Sequence, residues 1–262
     1  MPHGESWFSF LPFHQRLSAM AAVLSKPVND EGMSWIAHAP VSLQYVYNAL
    51  FVALLLLLLG FVTTSSIRKA TGDLLPEKKL TLRTFAELFI STAYSMMSDI
   101  MGKKAARFFF PLIGTCAFFI FFCNAIGLVP GFLPPTSNLN TTVACALVIF
   151  FSTHIFGVKE QGIGYFKHFF GPLIGLAYLP LMLIMFVIEI ISHIARPVSL
   201  SIRLMANMTA DHKVVGSFLV LAPFLVPVPM MLLGCLVVVV QTLVFCLLST
   251  VYITLAIEHE EH

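Results

Sequence analysis

VIEIISHIARPVSLSIRLMANMTADH, Val187 to His212, is the stretch on which the reading of this chain turns. It is apolar enough for a membrane helix, yet it contains Glu189, His193, Arg196, Arg203, Asp211 and His212. On a helix advancing about 100° per residue, Glu189, Ser192, Arg196, Ser199 and Asn207 all fall within about 40° of Arg203, and Asp211 within about 80°. From Glu189 to Asp211 this polar line rises about 33 Å, comparable with the thickness of a bilayer's hydrocarbon layer. A polar line of that length looks like a route. His212 falls about 180° from Arg203, so it joins the line only by facing the last helix or by lying past the helix end.

The rest of the chain supplies the membrane context. Of 262 residues, 58% are hydrophobic and 11% charged, and the mean hydropathy is +0.90, which excludes a water-soluble surface. Runs without Lys, Arg, Asp or Glu extend over 32–67, 108–158, 169–188 and 214–257. At roughly 20 residues per crossing, they predict an all-α integral membrane protein with about five membrane helices and an amphipathic surface helix. The five cysteines, Cys116, Cys123, Cys145, Cys235 and Cys246, lie in apolar segments without metal-ligand spacing and read as small hydrophobes.

The net charge of +2 says little, but its placement orients the chain. Eight of the fifteen Lys and Arg residues (Arg68, Lys69, Lys78, Lys79, Arg83, Lys103, Lys104 and Arg107) lie together, which marks that connection as cytoplasmic. The N-terminus is then outside and the C-terminus cytoplasmic. The first forty residues lack the basic flank and apolar run of a cleaved leader, so insertion is expected to use the first span.

One integral domain, 1–262, is expected. It comprises an extracytoplasmic segment 1–40, a span 41–64, an amphipathic helix 84–104, a helical hairpin 107–158, two long helices within 173–257 and an acidic tail 258–262. In the amphipathic part Phe85, Leu88, Phe89, Met96 and Ile100 form one stripe and Glu87, Ser91, Ser95 and Ser98 the other, placing it at the membrane surface or against a partner. The hairpin turns at VPGFLPPTSNLNTT, whose prolines stop a helix and which lacks Lys and Arg, as an outside loop should.

Arg203 then poses an electrostatic problem. A mid-membrane arginine costs about 2.5 to 3.5 kcal/mol on insertion scales and stays protonated. Glu189 is about 21 Å away along a straight helix, Asp211 is eight residues on, and Glu87 and Asp99 belong to the amphipathic segment. The counter-anion is therefore expected from outside this chain. Arg196, just before Pro197, reads as snorkelling toward the interface, and His154 as a histidine satisfied between helices.

RPVSLSIRLMANMTADH and VVQTLVFCLLSTVYITLAIEHEEH, with FFCNAIGLVPGFLPPTSNLNTT, resemble subunit a of the F-type ATP synthases over most of the chain. The resemblance implies a stator subunit of a bacterial inner membrane, not itself an enzyme, whose last two helices are long and strongly tilted against the c-subunit ring. The b-subunit peripheral stalk, the other ATP synthase subunits and the lipid bilayer would be its further partners. Arg203 matches the family arginine that faces the ring carboxylates. Two offset half-channels are implied, an outer one at Asn207, Asp211, His212, Gln241 and Asn124, and an inner one at Glu189, Ser192, His193 and Ser199. The chain departs from the family pattern at His212, where many bacterial members have glutamate, at Gly234, where histidine is frequent, and at Gly127, where an aspartate stands.

The residues alone leave other classes open. A secondary transporter could use a buried arginine to hold an anionic substrate, although two related halves are not visible. An intramembrane hydrolase finds no HExxH, no GxSxG and no paired membrane aspartates. A structural anchor for a peripheral stalk would leave the polar line from Glu189 to Asp211 without a purpose. No cofactor, metal or nucleic acid is expected.

Overall fold

The computed structural model describes residues 43–69, 82–129, 132–162, 179–221 and 227–257. The 1–40 segment, Lys78, Lys79, Lys167 and the 258–262 tail lie outside the described residues, as does the side chain of Phe85. The described residues form α1 (Leu43–Lys69), α2 (Leu82–Ile126), a 3-10 turn (Pro135–Ser137), α3 (Leu139–Gln161), α4 (Leu179–Leu221) and α5 (Pro227–Ile257). Each of the five helices is long and apolar enough to cross a membrane. Helices suit such a chain because lipid offers backbone N–H and C=O groups no partners, so each segment must satisfy its own.

Local chemistry sets some of the helix limits. Asn138 caps α3 by accepting a hydrogen bond from the Asn140 N–H at 2.9 Å, and Gly162, at φ 58°, ends it with its N–H on the Val158 carbonyl at 2.8 Å. The helix of the first span runs on to Lys69, while its part apolar enough to cross a membrane is Tyr45–Ser65, beside the expected 41–64. α4 holds 43 residues, about 64 Å at 1.5 Å per residue, roughly twice the thickness of a bilayer's hydrocarbon layer.

α2 doubles back on itself. Gly102 has φ 77° and ψ 156°, a conformation open essentially to glycine alone. Tyr94 and Phe110, eight residues to either side of it, meet edge to face at 5.8 Å, and the Phe89 ring lies 4.2 Å from Phe118 and 5.5 Å from Phe121. A straight helix would hold Phe89 and Phe118 about 43 Å apart. The amphipathic stretch is therefore an arm laid antiparallel along the helix that follows it. Its inward face is also shifted from the expected stripe, since Ala93 and Met97 are buried while Leu88 is exposed.

The core is shared by four helices. Met97, Ile113 and Ile120 of α2, Ile149 of α3, Leu204 of α4 and Phe245 of α5 belong to one buried cluster, with α2 packed along α5 and α3 against both α4 and α5. Ala93, Ala106, Ala117 and Ala146 in this cluster let the backbones approach closely, the usual source of cohesion where lipid is as apolar as the side chains. Gly102→Ala is expected to cost about 1 to 3 kcal/mol, read as a lowered midpoint in denaturant unfolding of the purified chain. A Tyr94→Cys, Phe110→Cys pair should form a disulfide readily, whereas a continuous helix would hold these positions about 24 Å apart.

Candidate functional site

The two faces of α4 separate by chemistry. Leu200, Leu204 and Met208 turn into the core, and Ile184, Ile188, Ile191 and Ile202 are exposed. Arg203 stands on the exposed side, with Ser199, Ala206 and Asn207 also exposed within a turn of it. Among the described residues it forms no ion pair and no hydrogen bond, so its guanidinium has no counter-charge within that part of the chain. Glu189, the one acid of α4 toward its N-terminal end, is engaged elsewhere.

Toward the loop at Pro135–Ser137, α4 meets α5 and the hairpin. Asn207 donates through Nδ2 to Gln241 Oε1 at 2.7 Å, joining the two long helices one turn beyond Arg203. Gln241 is buried. Asn124 is fully buried and its Oδ1 accepts from the Thr136 hydroxyl at 2.5 Å.

The wheel's objection to His212 is resolved by the neighbouring helices. α4 does not end there but continues to Leu221, so the His212 ring points away from the Arg203 face and toward the end of α2. A Cβ placed on Gly127 would lie 2.7 Å from His212 Nε2, and one placed on Gly234 would lie 2.9 Å from Asp211 Oδ2. Gly127 and Gly234 are thus complementary in shape to two side chains of α4. Where α2 and α5 lack a side chain, α4 projects an imidazole and a carboxylate into the space.

At the other end of α4, His193 Nδ1 lies 3.0 Å from the Glu189 carbonyl and 3.3 Å from Glu189 Oε1. The His193 ring meets His154 of α3 edge to face at 5.3 Å, and His154 Nδ1 also reaches the Phe150 carbonyl at 2.9 Å. His154 is thus the inter-helix histidine expected of it. Arg196 lies 5.5 Å from the Tyr252 ring centroid, a cation–π contact on α5 rather than a reach to the interface alone. With Thr153 and His154, Arg196 and Tyr252 line a cavity between α3, α4 and α5.

The structure therefore sorts the expected residues into separate groups. Asn207 and Gln241 are joined; Asp211, His212 and Asn124 gather where α2, α4 and α5 meet near the loop; Glu189 and His193 pair at the opposite end. Ser192 is half-buried near that pair, and Ser199 stays with Arg203. Tyr252 was missed, since a tyrosine in an apolar helix gives no pattern in one dimension. No group of three or more His, Cys, Asp or Glu suited to a metal occurs among the described residues. The five cysteines are free thiols.

Known proteins match this sequence over most of the chain. The family described as ATP synthase A chain matches residues 47–254. ATP synthase subunit a of Sorangium cellulosum is 45% identical over 249 residues, covering 94% of this chain and 96% of the relative. ATP synthase subunit a 3 of Pelobacter propionicus is 46% identical over 212 residues (81% and 86%), and ATP synthase subunit a of Geobacter sulfurreducens 50% over 177 residues (68% and 75%). With the family match spanning all five helices, the chain belongs to the ATP synthase A chain family.

Proposed function

We propose that this chain is the proton-conducting stator subunit of an F-type ATP synthase, working with the other subunits of that complex. The reading rests above all on Arg203, a permanent cation on an exposed and mostly apolar helix face, with no counter-charge among the described residues. A carboxylate on a neighbouring ring of c subunits supplies the anion. The small exposed residues Ser199 and Ala206 leave room for a partner helix to approach closely.

The physical sequence follows from the cost of charge in lipid. A ring carboxylate accepts a proton from the outer path, through Asn124, His212, Asp211, Asn207 and Gln241, and as a neutral acid can rotate into lipid. On the cytoplasmic side it releases the proton to the inner path at Ser199, Ser192, His193 and Glu189. Arg203 favours the ionised carboxylate as it passes, which promotes release, and its fixed charge opposes proton leakage between the paths. The b-subunit stalk holds the chain against the torque. Orientation follows the basic cluster, with the loop at Pro135–Ser137 outside.

Arg203→Ala and Arg203→Lys should each abolish ATP synthesis driven by a proton gradient in proteoliposomes while the complex still assembles. Lysine fails because it can lose its proton when buried and lacks the planar fork. Coupled synthesis in the alanine variant would refute the proposal. Separately, cysteine at Ser199 or Asn207 should crosslink to cysteines in a small co-purifying proteolipid, whereas cysteine at core position Met208 should not.

A further inference from the structure

Two permanent cations stand seven residues apart on α4, and they are not turned the same way. Arg203 is exposed, whereas Arg196 is half-buried. Helical geometry does not account for the difference, since seven residues bring the two within about 20° of each other and about 10.5 Å apart along the axis. Ala195, Val198 and Ser199 beside Arg196 are exposed, so the helix offers it an outward course as well. A group on another helix therefore turns it inward.

That group is an aromatic face. The Arg196 guanidinium carbon lies 5.5 Å from the centroid of the Tyr252 ring on α5, within cation–π reach. Thr153 and His154 of α3 line the same cleft. Among the described residues Arg196 forms no ion pair with Asp or Glu, so the ring is its electrostatic partner there. Pro197, next along, has no N–H to give the His193 carbonyl, which weakens helical hydrogen bonding at this turn and leaves more of the orientation to the ring contact. The contact is in register with another tie between the two helices. Tyr252 stands eleven residues beyond Gln241 on α5, and Arg196 eleven residues before Asn207 on α4. Arg203 thus lies between two side-chain links from α4 to α5.

We infer that Tyr252 is a positioning residue, whose ring draws the Arg196 guanidinium into the cleft between α3, α4 and α5 and so leaves Arg203 to meet the ring carboxylate without a second guanidinium beside it. The inference rests on the role proposed above for Arg203. Released from the aromatic face, Arg196 turns to the exposed side and extends along it toward Arg203. A carboxylate held by two guanidinium groups is stabilised as the anion more than by one, so it takes up a proton less readily and leaves more slowly. No proton passes through Tyr252 or Arg196; the contact acts by keeping one charge away.

The test uses the complete ATP synthase in proteoliposomes, with ATP synthesis driven by a proton gradient. Tyr252→Leu removes the aromatic face and should slow synthesis about fivefold, the order expected from losing one partly buried cation–π contact. Tyr252→Phe keeps the face and should run at the parent rate. Adding Arg196→Gln to Tyr252→Leu should bring the rate back to that of the parent, because the released charge is gone, whereas a loss caused by poor packing at position 252 would persist. Parent-like synthesis by Tyr252→Leu, or a deficit that Arg196→Gln leaves in place, overturns the inference. If Tyr252→Leu does not assemble, Tyr252→Phe carrying successive ring fluorines replaces it, since fluorine weakens the ring face with little change of shape. Synthesis should then fall stepwise with fluorine number when Arg196 is present and stay level with Arg196→Gln, and the same response in both backgrounds overturns the inference. Arg203→Ala run in parallel separates the two readings. Synthesis surviving that change would remove the role of Arg203 and the positioning with it, whereas a parent-like Tyr252→Leu beside an inactive Arg203→Ala would remove the positioning alone.

Discussion

The organisation of this protein turns on one charge that has no counter-charge among the described residues. Arg203 is held on the exposed side of α4, where the surrounding side chains are isoleucines, small residues and Asn207. A guanidinium in a dry layer without an anion is costly, and under the function proposed above a partner subunit supplies that anion. The buried side of the same helix shows how that charge is kept in place. Leu200, Leu204 and Met208 lock α4 into the four-helix core, and Asn207 is tied to Gln241 of α5.

Toward the loop at Pro135–Ser137, side chains of α4 fill spaces that the neighbouring helices leave. His212 occupies room left by Gly127, and Asp211 room left by Gly234. Because neighbouring side chains share one packed volume, an imidazole or carboxylate can move from one helix to its neighbour if the neighbour gives up its Cβ.

The fold-back at Gly102 serves the same framework. By returning the amphipathic arm along α2, it puts Phe89, Ala93 and Met97 onto the core that holds α3, α4 and α5 together. Cohesion here is dispersion between interlocked aromatic rings and small residues, since the surrounding lipid gives no hydrophobic reward for burying them.

Much of this was legible in one dimension. Composition and charge-free runs established a helical membrane protein, because every apolar crossing must satisfy its own backbone. Arg203 was identified because a charge in such a run is conspicuous, and Glu189 because helical spacing places it on the Arg203 face; His193 entered only through the family resemblance. The wheel could not place His212, since a wheel describes one helix and knows nothing of its neighbours. Which side of α4 faces the core, that His212 faces Gly127 and Asp211 faces Gly234, that His154 meets His193, and that α2 reverses at Gly102 were decided by the tertiary structure. The physical reason is the same in each case. Hydropathy and period are properties of a segment, whereas a contact between helices depends on the volumes and directions of side chains that may be more than eighty residues apart.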